Sequence, residues 1–284
     1  VAANSPWRRL IKRLLFPVLT EQNYRLVQGL AMAWDIRTGR WSEPEIDLVR
    51  FAVREGESVF DIGANYGLYS YHLSHAVRRS GRVYAFEPIP FTSDAFKIVV
   101  ATLRLRNVEL LPKGCSDRAG TVPFTLPIQA SGAISAGLAH IGSRNNERAG
   151  KERHCRYSGT REVWGEVIVL DELLPRVSAL SFIKSDTEGA DLLALRGAEK
   201  LIERHHPSVV CEINPWFLAG FGIRTEEVVE FFSSKNYRMY RYERHRGGGL
   251  LKPVDVDDVT EANYVFIHPE RGDRFAPLFA PSSS

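Results

Sequence analysis

The chain has 284 residues, 44% hydrophobic and 25% charged, enough to bury one full α/β core and too few to suggest a second independent domain. Its formal net charge of +3 is too small for the footprint of a nucleic-acid binder, and no apolar run reaches the length of a membrane span. Cys115, Cys155 and Cys211 are scattered without metal-ligand spacing, and no signal peptide is visible, so the expectation is a reduced, cytoplasmic protein.

Residues 1–42 read as an N-terminal helical extension. Within it Trp7-Arg8-Arg9-Leu10-Ile11-Lys12-Arg13-Leu14-Leu15-Phe16 is basic and amphipathic; it either packs its apolar face on the domain or makes weak contact with a membrane surface or an acidic partner. Ser42-Glu43-Pro44-Glu45 is a helix start, with Ile46, Val49 and Phe51 on helical spacing in a cover helix. A domain over 43–268 follows. It predicts strands at 58–62, 82–87 and 108–112 alternating with helices from Gly67 to about Arg79 and over 91–105. Residues 121–126 read as a short added strand. The stretch 129–161, rich in Gly, Ser, Asn and charge, is expected to be a lid or substrate-facing insertion. The core resumes at 163–170, with a helical turn at 171–174, strands at 180–184 and 208–213, helices over 189–203 and 225–234, and strands at 237–242 and 263–267. Residues 269–284 read as a loose tail. The alternation indicates a doubly wound sheet.

The chemistry starts at Phe60-Asp61-Ile62-Gly63-Ala64-Asn65-Tyr66-Gly67, an apolar strand running into a glycine turn and a helix. Glu87, closing the next strand about twenty residues on, is placed to accept hydrogen bonds from the two hydroxyls of an adenosine ribose. A dinucleotide turn is normally G-x-G-x-x-G; this one is Asp-x-Gly-x-x-x-Gly, and Asp61 would repel a pyrophosphate. A carboxylate there suits the ammonium of an amino-acid moiety, so S-adenosylmethionine (SAM) fits better than NAD. An ordinary βα turn would explain the glycines alone, but not Asp61 and Glu87 together.

These segments, with Phe86-Glu87-Pro88, Ser116-Asp117, Ile183-Lys184-Ser185-Asp186-Thr187-Glu188-Gly189-Ala190-Asp191 and Leu195-Arg196-Gly197-Ala198, resemble the FkbM family of SAM-dependent methyltransferases. The resemblance covers roughly residues 43–267. It implies a class I (Rossmann-like) methyltransferase fold, a seven-stranded sheet with its last strand antiparallel, and O-methylation of a hydroxyl on a small molecule, sugar, lipid or polyketide. Thr187 stands where the family has an apolar residue, and Ser185 is a second small polar change, so the acceptor is open. The cofactor set is Asp61, Gly63, Ala64, Asn65, Gly67, Ser70, Glu87, Pro88, Ser116, Asp117 and Asp186, with Ser116-Asp117 reaching the adenine. Asp117 as a plain turn residue is the other reading.

Asp186, Glu188 and Glu212 leave adjacent strand ends on the acceptor side. Such carboxylates can raise one another's pKa and supply a general base, Asp186 or Glu188, or they can hold a divalent cation; alternatively Glu188 caps a helix and Asp186 serves the cofactor. No dedicated metal ligands stand out. His72 and His75, three apart on a helix, lack partners for a metal site, and His205-His206 suits a helix C-terminus. His140 and His154 lie in the insertion, where they could face substrate, and Trp164, Trp216 and Phe217 read more as packing than as a sugar-stacking wall. The competing functions are N-methylation of an amine or peptide, and a non-catalytic SAM-binding accessory protein.

Overall fold

The computed structural model describes residues 20–129, 139–142, 157–246 and 248–279. Helix α1 (Glu21–Arg37) starts at Thr20, whose hydroxyl accepts from the Asn23 amide at 3.3 Å. A 3-10 turn, Pro44–Leu48, leads into α2 (Val49–Ala52). The first half of the core is β1 (Ser58–Ile62), α3 (Leu68–Val77), β2 (Arg82–Phe86), α4 (Pro90–Leu103) and β3 (Val108–Leu111). Four strands then form a separate sheet: β4 (Gly114–Cys115), β5 (Gly120–Gln129), β6 (His140–Ile141) and β7 (Tyr157–Ile168), in the order β4-β7-β5-β6. After the 3-10 helix Leu170–Arg176 come β8 (Leu180–Ser185), α5 (Asp191–Arg196), α6 (Glu199–His205), β9 (Ser208–Ile213), α7 (Pro215–Ala219) and α8 (Thr225–Ser233). The chain closes with β10 (Arg238–His245), β11 (Gly248–Pro253), β12 (Ala262–Ile267) and a 3-10 helix, Pro269–Leu278.

The main sheet has the order β11-β10-β12-β9-β8-β1-β2-β3. β9, β8, β1, β2 and β3 are parallel, and β12 runs antiparallel to both β9 and β10. The parallel strands are mostly apolar in their middles because both faces are covered, with polar residues gathered toward their ends. Phe60, Ile62, Ile183 and Val209 bury against Leu192, Leu195, Leu201, Ile202 and Phe232 on one face; Val59, Phe182 and Val210 bury with Met32, Ala52, Leu73 and Phe96 on the other. The chain passes from β1 to β2 on one side and later returns as β8 on the other. This reversal opens a crevice at the strands' C-terminal ends.

Three expectations change. The sheet has eight strands rather than seven, because β11 forms a hairpin with β10; its Gly249 leaves the space that the Tyr242 hydroxyl and ring fill. The antiparallel last strand stands as expected. Part of 129–161 is ordered sheet: β5 and β7 pair from Gly120↔Val167 out to Gln129↔Tyr157. Residues 130–138 and 143–156, with His154, lie outside the described residues. Finally, residues 269–278 are not loose. Phe275 and Leu278 are buried in the core, and Arg274 pairs with Glu57 at 2.8 Å.

Candidate active site

The C-terminal ends of β1, β2, β8 and β9 open into one cavity of about 320 Å³. Asp61, Gly63, Ala64, Asn65, Glu87 and Pro88 line one side; Asp186, Glu188 and Glu212 line the other. The turn after β1 is shaped by backbone conformation. Gly63 has φ +74°, and a Cβ there would fall on the Asp186 carbonyl oxygen, so β1 and the loop after β8 come this close only because the residue is glycine. Gly67, φ +85°, starts α3 with the Phe96 ring packed against its Cα.

Asp61 is 2% exposed, and its Oδ2 accepts the Ser70 hydroxyl at 2.5 Å. Burial raises its pKa to about 6, against the lowering by Ser70 and by the Lys184 charge. Glu87 is 6% exposed and accepts the amides of Ile89 and Asn65, each at 2.9 Å. Burial outweighs both bonds and lifts its pKa to about 7. A carboxylate has about four acceptor positions, so each retains capacity toward the cavity.

On the other side, the carboxylate oxygens of Asp186, Glu188 and Glu212 lie within 4.8 Å of one another. Burial, then the neighbouring Asp186, Glu188 and Asp191 charges, push the Glu212 carboxyl far above its usual range. The loop carrying Asp186 and Glu188 is organised by Asp191, 1% exposed, which accepts the Ser185 hydroxyl at 2.6 Å and the amides of Thr187 at 3.1 Å and Gly189 at 3.2 Å. Glu188 takes the left-handed conformation, φ +55°, immediately before Gly189 at φ +98°.

Lys184 lies among these acids, and the motif reading missed it. It is 2% exposed, and its Nζ donates to Asn263 Oδ1 at 2.9 Å and the Ser185 carbonyl at 3.2 Å, and lies 3.4 Å from Asp186 Oδ2. Burial alone would favour the neutral amine, but Asp186, Glu43, Glu212 and Asp191 together raise its pKa and keep it charged. A lysine, the one charged residue in the buried strand Leu-Ser-Phe-Ile-Lys-Ser, was the signal that could have found it. Trp41, Glu43, Tyr69 and Asn263 also line the wall and were not assigned to it from sequence; His140, which the sequence allows to face substrate, lines it too.

Ser116 and Asp117 are not part of the wall. Beyond β3 the chain enters β4, which pairs with β7, and the Ser116 amide donates to the Ile168 carbonyl at 3.0 Å; Gly114 and Cys115 line the cavity instead. Gly67 and Ser70 act from behind it, on α3. Trp216 also stays off the wall, and Trp164 is exposed on β7.

A doubly wound sheet with acids at the ends of β1 and β2 and an acidic loop after β8 defines a methyltransferase of the class I fold. A family model described as the methyltransferase FkbM domain matches residues 61–239, and the chain belongs to the FkbM family of SAM-dependent methyltransferases. The sequence matches none of the curated proteins. Among solved structures it is similar to an FkbM methyltransferase from Methylobacillus flagellatus, at 16% identity and a TM-score of 0.45, covering 80% of this chain and 50% of that one. It therefore spans about half the length of that protein. The O-methyltransferase TomG from Streptomyces achromogenes, in complex with SAM, is similar at 12% identity and a TM-score of 0.45, with 84% and 89% covered. A SAM-dependent methyltransferase from Aquifex aeolicus is similar at 16% identity and a TM-score of 0.40, with 79% and 88% covered.

Proposed function

We propose that the chain O-methylates a hydroxyl of a small molecule, sugar or lipid- or polyketide-type acceptor. The observation that supports SAM as the methyl donor is the pair Asp61 and Glu87, two desolvated carboxylates at the ends of adjacent parallel strands facing one cavity beside a glycine-shaped backbone; transfer to oxygen follows the family resemblance. SAM presents a cationic ammonium and two ribose hydroxyls, which are what two such acceptors complement, and a pyrophosphate at the glycine turn would be repelled by Asp61. Asp61 and the backbone of residues 63–65 would hold the amino-acid part, and Glu87 the ribose. When bound, SAM supplies a methyl group activated by its sulfonium.

The protein's part is to align the acceptor oxygen and receive its proton. Asp186 or Glu188 takes that proton, while Glu212, whose carboxyl is pushed up by burial and its acidic neighbours, shares the local charge. Asp186→Asn, Glu188→Gln and Glu212→Gln are each compared by turnover at saturating SAM, using an acceptor found by screening with labelled SAM. Loss of the base lowers turnover by about 10²-fold or more; if all three variants turn over normally, none is the base. Label found on nitrogen would turn the reading to N-methylation.

Calorimetry tests the cofactor itself. The expected result is SAM binding without NAD binding, and the reverse refutes the proposal. The two raised carboxyls add a pH signature. The ligand favours their ionised forms, so binding at pH ~6.5 releases protons, seen as a heat that changes with buffer ionisation enthalpy, and the release fades at higher pH. Without ligand the sign is opposite: both folded-state values exceed the unfolded ones, so stability is greatest below pH ~4 for these groups and declines as pH rises through about 6 and 7. SAM therefore raises the melting temperature more at pH 8 than at pH 5.

A further inference from the structure

α3 and α4 both end in arginine. α3 passes from Val77 into Arg78-Arg79, and α4 from Leu103 into Arg104, with Arg106 two residues on; all four arginines are exposed. They line one shallow groove together with Ser74, His75 and Asn107. The groove sits where the two helices end and β2 and β3 begin, at the opposite edge of the main sheet from the cavity, which opens where the strands end. A cation at a helix C-terminus favours the helix dipole, which accounts for one arginine per helix and not for the second.

The two arginine-bearing loops are held as one piece. Asn107 Oδ1 accepts the Ser74 hydroxyl at 2.5 Å, and its Nδ2 donates to the carbonyls of Ser74 at 2.9 Å and Arg78 at 2.5 Å, which fixes the end of α3 to the turn before β3. Arg78 and Arg104 take positive φ, +55° and +56°, conformations that favour glycine. Glu55 is the one acid in the lining, and it meets only Arg78, at 3.3 Å between two exposed side chains. The acids that stand beside the groove, before β1 and in β3, are committed elsewhere: Glu57 to Arg274 at 2.8 Å, and Glu109 to Arg176 at 2.7 Å and Arg82 at 3.3 Å. Arg79, Arg104 and Arg106 pair with no acid among the described residues. We propose that this groove binds a compact, multiply charged phosphate ligand, held by guanidinium forks from both loops. A protein partner needs an apolar centre, and here Leu105 is buried and Leu103 half-buried. Single-stranded nucleic acid needs aromatic side chains under its bases, and no Phe, Tyr or Trp lines the groove.

The test is calorimetry of the full chain with inorganic triphosphate, inositol trisphosphate and orthophosphate, with RNA and poly-glutamate as competing polyanions. The expected result is one equivalent of a multiply charged phosphate bound about ten-fold or more tighter than orthophosphate, and weakening as salt is raised from about 0.05 to 0.5 M. The tighter of the first two ligands names the source, a free phosphate chain or a headgroup-type phosphate. Arg79→Gln/Arg106→Gln, which alters only exposed side chains, keeps the thermal unfolding midpoint and loses about ten-fold or more in affinity. Glu55→Gln gains several-fold, because it removes the competing acid. Arg238→Gln/Arg241→Gln, exposed on β10, keeps full affinity. No saturable binding, unchanged affinity in the Arg79/Arg106 variant, or an equal loss in the Arg238/Arg241 control overturns the proposal. So does RNA or poly-glutamate that displaces the phosphate ligand at lower concentration than the ligand itself. SAM affinity stays the same in all of these variants, so the outcome is independent of the methyl-transfer reading.

Discussion

Lys184→Met lowers stability by about 3–5 kcal/mol at neutral pH, and the loss shrinks as the pH falls. The ammonium is a single positive charge in a nearly closed space, and Asp186, Glu43, Glu212 and Asp191 all act on it. A methionine of similar length fills the volume but leaves those acids facing one another without a counter-ion, and leaves Asn263 Oδ1 without the donor it has at 2.9 Å. Removing one partner from a buried charged cluster is far more damaging than removing the whole cluster. The sign with pH follows. Without the cation the acids bind protons more tightly in the folded chain than in the unfolded one, so acid restores part of what the substitution removes. Urea unfolding of both proteins at pH 5 and pH 8 is the measurement, with the larger difference expected at pH 8. A difference that is equal at both values, or absent, means that Lys184 does not hold the acids together.

Lys184 also shows where sequence reading stops. The strand that carries it was legible, because Leu180, Phe182 and Ile183 give a short apolar-rich segment between loop signals. Within it, residue type and spacing alone point to the carboxylates of the adjacent Asp-x-Glu-Gly motif and not to the lysine. Its importance comes from Glu43, Asn263 and Tyr69, which are distant in sequence and meet only across the closed fold. Asp61 and Glu87, by contrast, were legible because each ends its own strand and the two strands are neighbours in both sequence and space. The placement of Ser116 and Asp117 failed for the same kind of reason: it assumed that the chain stops at the end of β3, but a two-residue strand, too short to leave a periodic pattern, carries them past the cavity. β11 was missed because Gly248-Gly249 reads as loop, and the start of β7 because Ser158-Gly159-Thr160-Arg161-Glu162 offers no apolar alternation. In both cases the strand exists because a long partner beside it supplies the hydrogen bonds.

The turn that opens the cofactor side can be tested by one carbon atom. Gly63→Ala abolishes detectable SAM binding and destabilises the chain by more than the ~1–2 kcal/mol that a left-handed backbone alone imposes on an L-residue. The added Cβ would lie on the Asp186 carbonyl oxygen and 2.9 Å from its carbon, and a backbone peptide cannot rotate away as a side chain can. The Asp186 amide is also tied to the Ile62 carbonyl at 3.0 Å, so relief comes only by parting β1 from the loop after β8. That movement displaces Asp61 and Asp186 together and opens the cavity between them. Gly222→Ala is the control: it has nearly the same dihedral, φ +68°, but nothing lies within 4 Å of its Cβ position, and it is remote from the cavity wall. It should show the dihedral penalty alone, with SAM affinity unchanged. Equal loss of stability in the two variants, or full SAM binding by Gly63→Ala, would show that the close approach of the two loops does not shape the site.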